Sequence, residues 1–375
     1  MNERLRALAD HGVAVWADSI ARDWLANGEL ERLRDRAGVV GVTSNPTIFE
    51  TALAAGDAYD AQLADLAAEG HDAATIFERL ALDDIRLAAE QLAPVYARTD
   101  GHDGYVSFEV PPSLARDTER TASEAARIAH AVDVPNLLVK IPATEEGLPA
   151  IRRSIADGVS VNVTLIFSID RYRDVVEAYL GGLEDRLEAG GSVHEVASVA
   201  SFFVSRVDTL LDPQLEAIAA EGGPRAELAT QRLGTAAIDN AKLAYQAWQA
   251  RFDGPRWEAL AAAGARPQRC LWASTSTKNP AYRDVVYCEE LVGADTVNTM
   301  PLPTIEAFGD HGEVRGHTVL EDVERAERLW SDLAELGIDE EQVGQQLEDE
   351  GVEKFAASER SVLDTVEAAR RAALD

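Results

Sequence analysis

Residues 136–147 read NLLVKIPATEEG, so Lys140 stands inside an otherwise apolar, strand-like run. An ammonium group is almost never fully buried without a partner. A strand sends alternate side chains to opposite faces. Leu137, Val139 and Ile141 therefore share one face, and Leu138 and Lys140 the other. The run stops at PATEEG, which puts the lysine near the strand's carboxyl end. The same parity test picks out four more strands. Asp18 ends the face opposite Val13 and Val15, and Thr43 shares a face with Asn45. Tyr105, Ser107 and Glu109 oppose Val106, Phe108 and Val110. Ser160, Asn162 and Thr164 oppose Val161, Val163 and Leu165. One amine, two carboxylates and several amide or hydroxyl groups thus converge at strand ends.

Desolvation disfavours a charged ammonium, so a buried lysine is drawn toward its neutral form. A neutral amine attacks a ketone and forms a Schiff base, whose iminium is an electron sink that lets a neighbouring carbon–carbon bond break. Expelling water during imine formation needs an acid, and the departing hydroxyl needs a base. Two carboxylates in different surroundings can divide those tasks. Asn and Thr side chains can hold sugar hydroxyls. An internal lysine–carboxylate ion pair of purely structural purpose is the competing account, since such pairs also perturb buried charges.

Positioning these groups requires parallel strands. Short β-branched runs at 13–18, 39–45, 105–110, 137–141, 160–167, 196–204, 269–275 and 294–300 alternate with amphipathic segments. DTERTASEAARIAHAV and DRYRDVVEAYLGGLEDRL, for example, carry apolar residues at helical spacing. Eight such strands predict an α/β protein, a (β/α)8 TIM barrel with its site at the carboxyl ends. An open doubly wound sheet often carries a glycine-rich phosphate loop, and neither G-x-G-x-x-G nor G-x-x-x-x-G-K-[ST] occurs. Beyond Thr318 the pattern is helical only, so 319–375 is expected to be a C-terminal helical extension of a single 1–375 domain, its charged runs facing solvent.

The chain has 66 acidic and 35 basic residues and a net charge of −31. That balance repels phosphate backbones and anionic lipid, which argues against nucleic-acid or membrane partners. An anionic substrate would need a local basic pocket. Two cysteines without a C-x-x-C pair indicate buried thiols rather than a disulfide framework or zinc site. MNERLRALAD has no apolar signal core, so the expectation is a cytoplasmic protein.

Several stretches resemble one enzyme family. GVTSNPTIFE (41–50) is similar to the asparagine–proline signature of transaldolases, and LLVKIPATEEGLPAI (137–151) to their Schiff-base lysine signature. SVNVTLIFS (160–168), ASFFVSR (200–206) and WASTSTKNP (272–280) match further family blocks in order. The likeness runs from about Val13 to about Phe308. It implies a (β/α)8 barrel with no metal or organic cofactor, acting on sugar phosphates in the non-oxidative pentose phosphate pathway. A dihydroxyacetone unit would pass from sedoheptulose 7-phosphate to glyceraldehyde 3-phosphate, giving erythrose 4-phosphate and fructose 6-phosphate. Lys140 would form the Schiff base. Glu109 would act as acid and base through a water that Thr164 helps to hold, and Asp18 would act on the C4 hydroxyl. Asn45, Asn162 and Ser201 would bind hydroxyls of the dihydroxyacetone unit, Arg206 the phosphate, and Ser274 and Lys278 would complete the substrate contacts. The shorter bacterial pattern has serine, one residue, then arginine; here Ser274-Thr275-Ser276-Thr277-Lys278 stands instead, so a lysine point charge replaces a guanidinium fork. Ser205 stands where glycine is common. The alternative activity is a fructose 6-phosphate aldolase-like lyase, and a non-catalytic sugar-phosphate binder is the reading from another class. Monomer and homodimer both stay open.

Overall fold

A computed structural model describes residues 1–374. Eight parallel strands close into one barrel, each bonded to its sequence neighbour and the last to the first. They are β1 Val13–Ala17, β2 Gly41–Thr43, β3 Tyr105–Glu109, β4 Leu137–Pro142, β5 Val161–Ile166, β6 Ser198–Phe203, β7 Arg269–Ala273 and β8 Thr296–Met300. Each coincides with one of the eight expected runs. Every strand residue is buried, because helices cover the outer face and side chains fill the inner one. The crossover helices begin where the sequence supplies caps. Asp117 accepts from the Arg120 amide at the start of Thr118–Val132, and Ser168 accepts from the Arg171 amide at the start of Ile169–Glu188.

The interior is layered. Near the amino ends Arg269 donates to Asp103 at 2.9 Å and to the His102 carbonyl at 2.7 Å, capping the closed end. Above it the fully buried Trp16 indole lies against Gly41, with its centroid 6.3 Å from that of Tyr105. A Cβ at position 41 would collide with that indole, so only glycine lets β2 approach β1 here. Higher still a polar belt crosses the barrel. Ser201 Oγ donates to Asn162 Oδ1 at 2.7 Å, and Asn162 Nδ2 donates to Ser107 Oγ at 3.0 Å.

Two details depart from the sequence expectation. β2 ends at Thr43, so Asn45 is not a strand residue: it caps the helix Pro46–Ala54, accepting from the Ile48 amide at 3.0 Å. Asn followed by Pro is the chemistry of an N-cap and first helical position, which ends the strand early. In β5 the pairing register shifts between Val163 and Ile166, and Leu165 takes φ +61°. The bulge breaks the expected alternation: Leu165 does not continue the Val161 and Val163 face but meets the C-terminal helix near Gly351.

That helix, Glu340–Leu374, is the largest element beyond the barrel. It buries Val343, Leu347, Gly351, Phe355, Ser358, Val362 and Val366, a stripe at helical spacing. The stripe packs on the helices Pro46–Ala54, Asp60–Ala68 and Ala73–Arg98 and on β5, across the carboxyl-end mouth. Arg116 ties it down through Glu348 and Asp349, and Thr47 Oγ1 lies 2.8 Å from Ser358 Oγ.

Gly41→Ala is expected to destabilise the fold by about 1–3 kcal/mol, because the added methyl forces the buried Trp16 ring or the β1–β2 backbone to move. Urea unfolding checks this; an unchanged midpoint would show that the interior yields at no cost.

Candidate active site

The carboxyl-end mouth opens into a cavity of about 560 Å³. Lys140 lies on its floor, 4% exposed, at the end of β4. Its Nζ donates to the Ser44 carbonyl at 3.2 Å and stands 3.3 Å from Glu109 Oε2 on the adjacent β3. The parallel register that sets Glu109 beside Lys140 places this pair automatically. Phe355 of the C-terminal helix covers the amine, with Nζ 5.4 Å from its ring centroid. Such an aromatic face favours a cation without offering it a proton acceptor.

Asp18 faces the same cavity from the end of β1. It accepts a 2.7 Å hydrogen bond from Thr43 Oγ1, which in turn lies 2.6 Å from Thr299 Oγ1 on β8. The enclosing protein pushes the Asp18 carboxyl above the ordinary carboxylate range. The Lys140 charge, the Thr43 hydrogen bond and the Lys278 and Arg206 charges offset part of that rise. Burial likewise raises Glu109, with the Lys140 and Arg206 charges pulling it down and Glu359 pushing it further up. Two carboxyls inclined to hold protons therefore flank one amine.

Thr164, Ser201 and Asn45 also line the cavity. Thr164 Oγ1 and Glu109 Oε2 are both buried without a hydrogen-bond partner in the protein. Glu109 lines a neighbouring cavity of about 210 Å³ together with Asn45 and Glu359. Asn162 does not reach the cavity wall; it lies fully buried beneath it, holding Ser201 and Ser107. At the rim stand Arg206, Ser274 and Lys278. Ser274 takes φ +56° immediately after β7, and its Oγ lies 2.9 Å from Ser205 Oγ. Lys278 Nζ donates to Ser276 Oγ at 2.7 Å.

Sequence parity missed Thr43 as the partner of Asp18, and Thr299 with it. Thr43 was visible as an inward residue, but nothing local says which carboxylate it serves. It also missed Lys354 and Phe355, which line the cavity from a helix more than 200 positions beyond Lys140 in the chain.

A (β/α)8 barrel that buries one lysine between a glutamate and an aspartate at its open end defines a lysine-centred barrel enzyme. The sequence matches the family described as transaldolase/fructose-6-phosphate aldolase over residues 15–366. It is 51% identical to a transaldolase of Thermobifida fusca (strain YX) over 366 residues, covering 98% of each chain. It is 50% identical to a transaldolase of Parafrankia sp. (strain EAN1pec), again over 98% of each chain. A transaldolase of Mycolicibacterium paratuberculosis is 51% identical over 358 residues, 95% of this chain and 94% of the relative. The chain belongs to the transaldolase/fructose-6-phosphate aldolase family and is an enzyme of the transaldolase kind. Among the described residues no helix is long and apolar enough to cross a membrane.

Asp18→Asn is expected to lower turnover and raise stability at about pH 8. The native carboxyl titrates above its unfolded value, so wild-type stability falls as pH rises from the unfolded range near 4 through the native pKa. The amide carries no such cost, so its advantage should shrink as pH falls toward about 4 and vanish below it, where both states are protonated. Thermal unfolding at the two pH values checks this; an advantage independent of pH would contradict the assigned cause.

Proposed function

We propose that the chain transfers a dihydroxyacetone unit from sedoheptulose 7-phosphate to glyceraldehyde 3-phosphate through a Schiff base on Lys140. The single observation that carries this reading is the Lys140 amine on the cavity floor, 3.3 Å from a buried carboxyl and facing a second one. Transfer starts when neutral Nζ attacks the ketose C2 and forms a carbinolamine. Glu109, inclined to hold a proton, delivers it through a water that the unpartnered Thr164 hydroxyl helps to hold, and the C2 oxygen leaves as water. The iminium accepts the electron pair of the C3–C4 bond as Asp18 takes the C4 hydroxyl proton, releasing the aldose erythrose 4-phosphate. An enamine stays on Lys140. It attacks the aldehyde carbon of glyceraldehyde 3-phosphate, Asp18 returns the proton to the new hydroxyl, and hydrolysis frees fructose 6-phosphate. Asn45 and Ser201 hold hydroxyls of the three-carbon unit, with Asn162 steadying Ser201 from below. Arg206, Ser274 and Lys278 receive the phosphate end.

The resting Lys140–Glu109 contact suits this chemistry as well as a structural ion pair would. A pair of only structural purpose does not require the open cavity above it, or the second carboxyl and the unpartnered Thr164 hydroxyl that share it. A cytoplasmic location and a place in the pentose phosphate pathway go with this function.

Borohydride reduction in the presence of fructose 6-phosphate should fix a three-carbon or six-carbon adduct, and peptide mass mapping should find it on Lys140. Lys140→Ala should abolish both adduct and turnover, while Glu109→Gln should slow turnover about 10²–10⁴-fold. An adduct on another lysine, or substantial turnover without Lys140, would refute the mechanism.

A further inference from the structure

Three cations face the cavity rim, and none of them forms an ion pair among the described residues. Arg206 stands at the start of the helix Ser205–Ala220, Lys278 on the segment after β7, and Lys354 on the C-terminal helix. In a chain with 66 acidic residues this is a segregated arrangement. Elsewhere, arginines with carboxylates in reach close on them, as Arg256 does on Glu177 and Glu184. Here Lys278 meets only a serine hydroxyl, and Arg206 stacks on the Phe203 ring at 4.9 Å. Partial desolvation at the rim, then the Arg206 and Lys278 charges, hold the Lys354 ammonium below the ordinary lysine range, and no carboxylate counters them. Like charges gathered in one pocket repel and cost stability unless an anion joins them.

Lys354 is exposed, but its backbone is fixed by its neighbours. Phe355 is 3% exposed, and its ring lies 5.8 Å from Arg206 Cζ as well as over Lys140. One turn earlier Gly351 lets the helix close on the site. A Cβ there would sit 3.3 Å from Arg206 Nη1 and 2.8 Å from Leu165 Cδ2. One turn later Ser358 is tied to Thr47, on the helix that Asn45 caps. The helix therefore delivers Lys354 to the mouth with little freedom of approach.

We propose that Lys354 is a third ligand of the substrate phosphate, supplied by the C-terminal helix to complete a clamp that Arg206 and Lys278 begin. The proposal rests on the reading of Lys140 as the amine that binds the ketose. A phosphate near neutral pH carries between one and two negative charges on three exposed oxygens. Arg206 offers a planar fork to two of them, and a lysine is only a point charge. Where the second ligand is Lys278 rather than an arginine, an oxygen is left for a further donor, and Lys354 is the cation placed to take it. The barrel alone, without its last helix, would then hold phosphate with two cations.

Steady-state kinetics of Lys354→Ala and Lys354→Arg test this in the full-length enzyme. Lys354→Ala should raise KM for fructose 6-phosphate about ten-fold or more and weaken competitive inhibition by inorganic phosphate in parallel. With unphosphorylated glyceraldehyde as acceptor, its KM should move by less than about two-fold. Lys354→Arg should recover most of the affinity, and thermal unfolding should show both variants folded. An unchanged KM for fructose 6-phosphate, or equal rises for phosphorylated and unphosphorylated substrates, would overturn the proposal. The borohydride adduct separates the two levels. If the wild-type enzyme forms it on Lys140 and KM ignores Lys354, only the clamp fails; if no adduct forms, the underlying reading fails.

Discussion

The protein is organised around the cost of holding an amine and a carboxyl together away from water. Removing an ammonium and a carboxylate from solvent carries a penalty of several kcal/mol for each ion, and mutual attraction repays it only in good geometry. The Lys140–Glu109 contact is long and imperfectly aligned, and the Glu109 oxygen nearest the amine has no hydrogen bond. A site tuned for stability would have closed that gap. This one leaves a proton acceptor, an amine and a free hydroxyl able to exchange partners, which is what imine chemistry needs.

The rest of the barrel makes that arrangement tolerable. Below the site Trp16, Tyr105 and the Arg269 cap fill the interior toward the amino ends of the strands. The Ser107–Asn162–Ser201 belt lies between that layer and the reactive one, with its polar atoms satisfied. Rigid strands place Glu109 and Lys140 side by side through hydrogen-bond register, so no loop has to hold them. At the mouth, Leu165 in the β5 bulge and Ser274 at the end of β7 both sit at positive φ.

Charge is distributed with the same economy. The chain is strongly acidic, yet Arg206, Lys278 and Lys354 at the cavity rim form no ion pair among the described residues. An anionic substrate thus meets a small positive focus inside a negative field, which selects for molecules that can reach into the mouth. The C-terminal helix belongs to this focus, since its buried stripe seats Phe355 over both Lys140 and Arg206.

Local periodicity was enough to determine the eight strands, their helical crossovers and the face on which Lys140, Glu109, Asp18 and Thr164 lie. The reason is that side-chain direction in a strand alternates with period two, and closing a parallel sheet turns one face inward for every strand at once. Where the backbone leaves that regularity, parity fails. Asn45 became a helix cap because proline follows it, and Leu165 left its face because a bulge inserted an extra residue. Contacts between distant segments were beyond any local pattern. The Thr43 bond to Asp18 spans 25 positions, and the Phe355 cover on Lys140 depends on how a charged, amphipathic helix is laid across the mouth. In sequence that helix shows only an apolar stripe and a solvated face; which surface the stripe meets is decided by packing of the whole chain, and so only the tertiary structure brings Lys354 to the site.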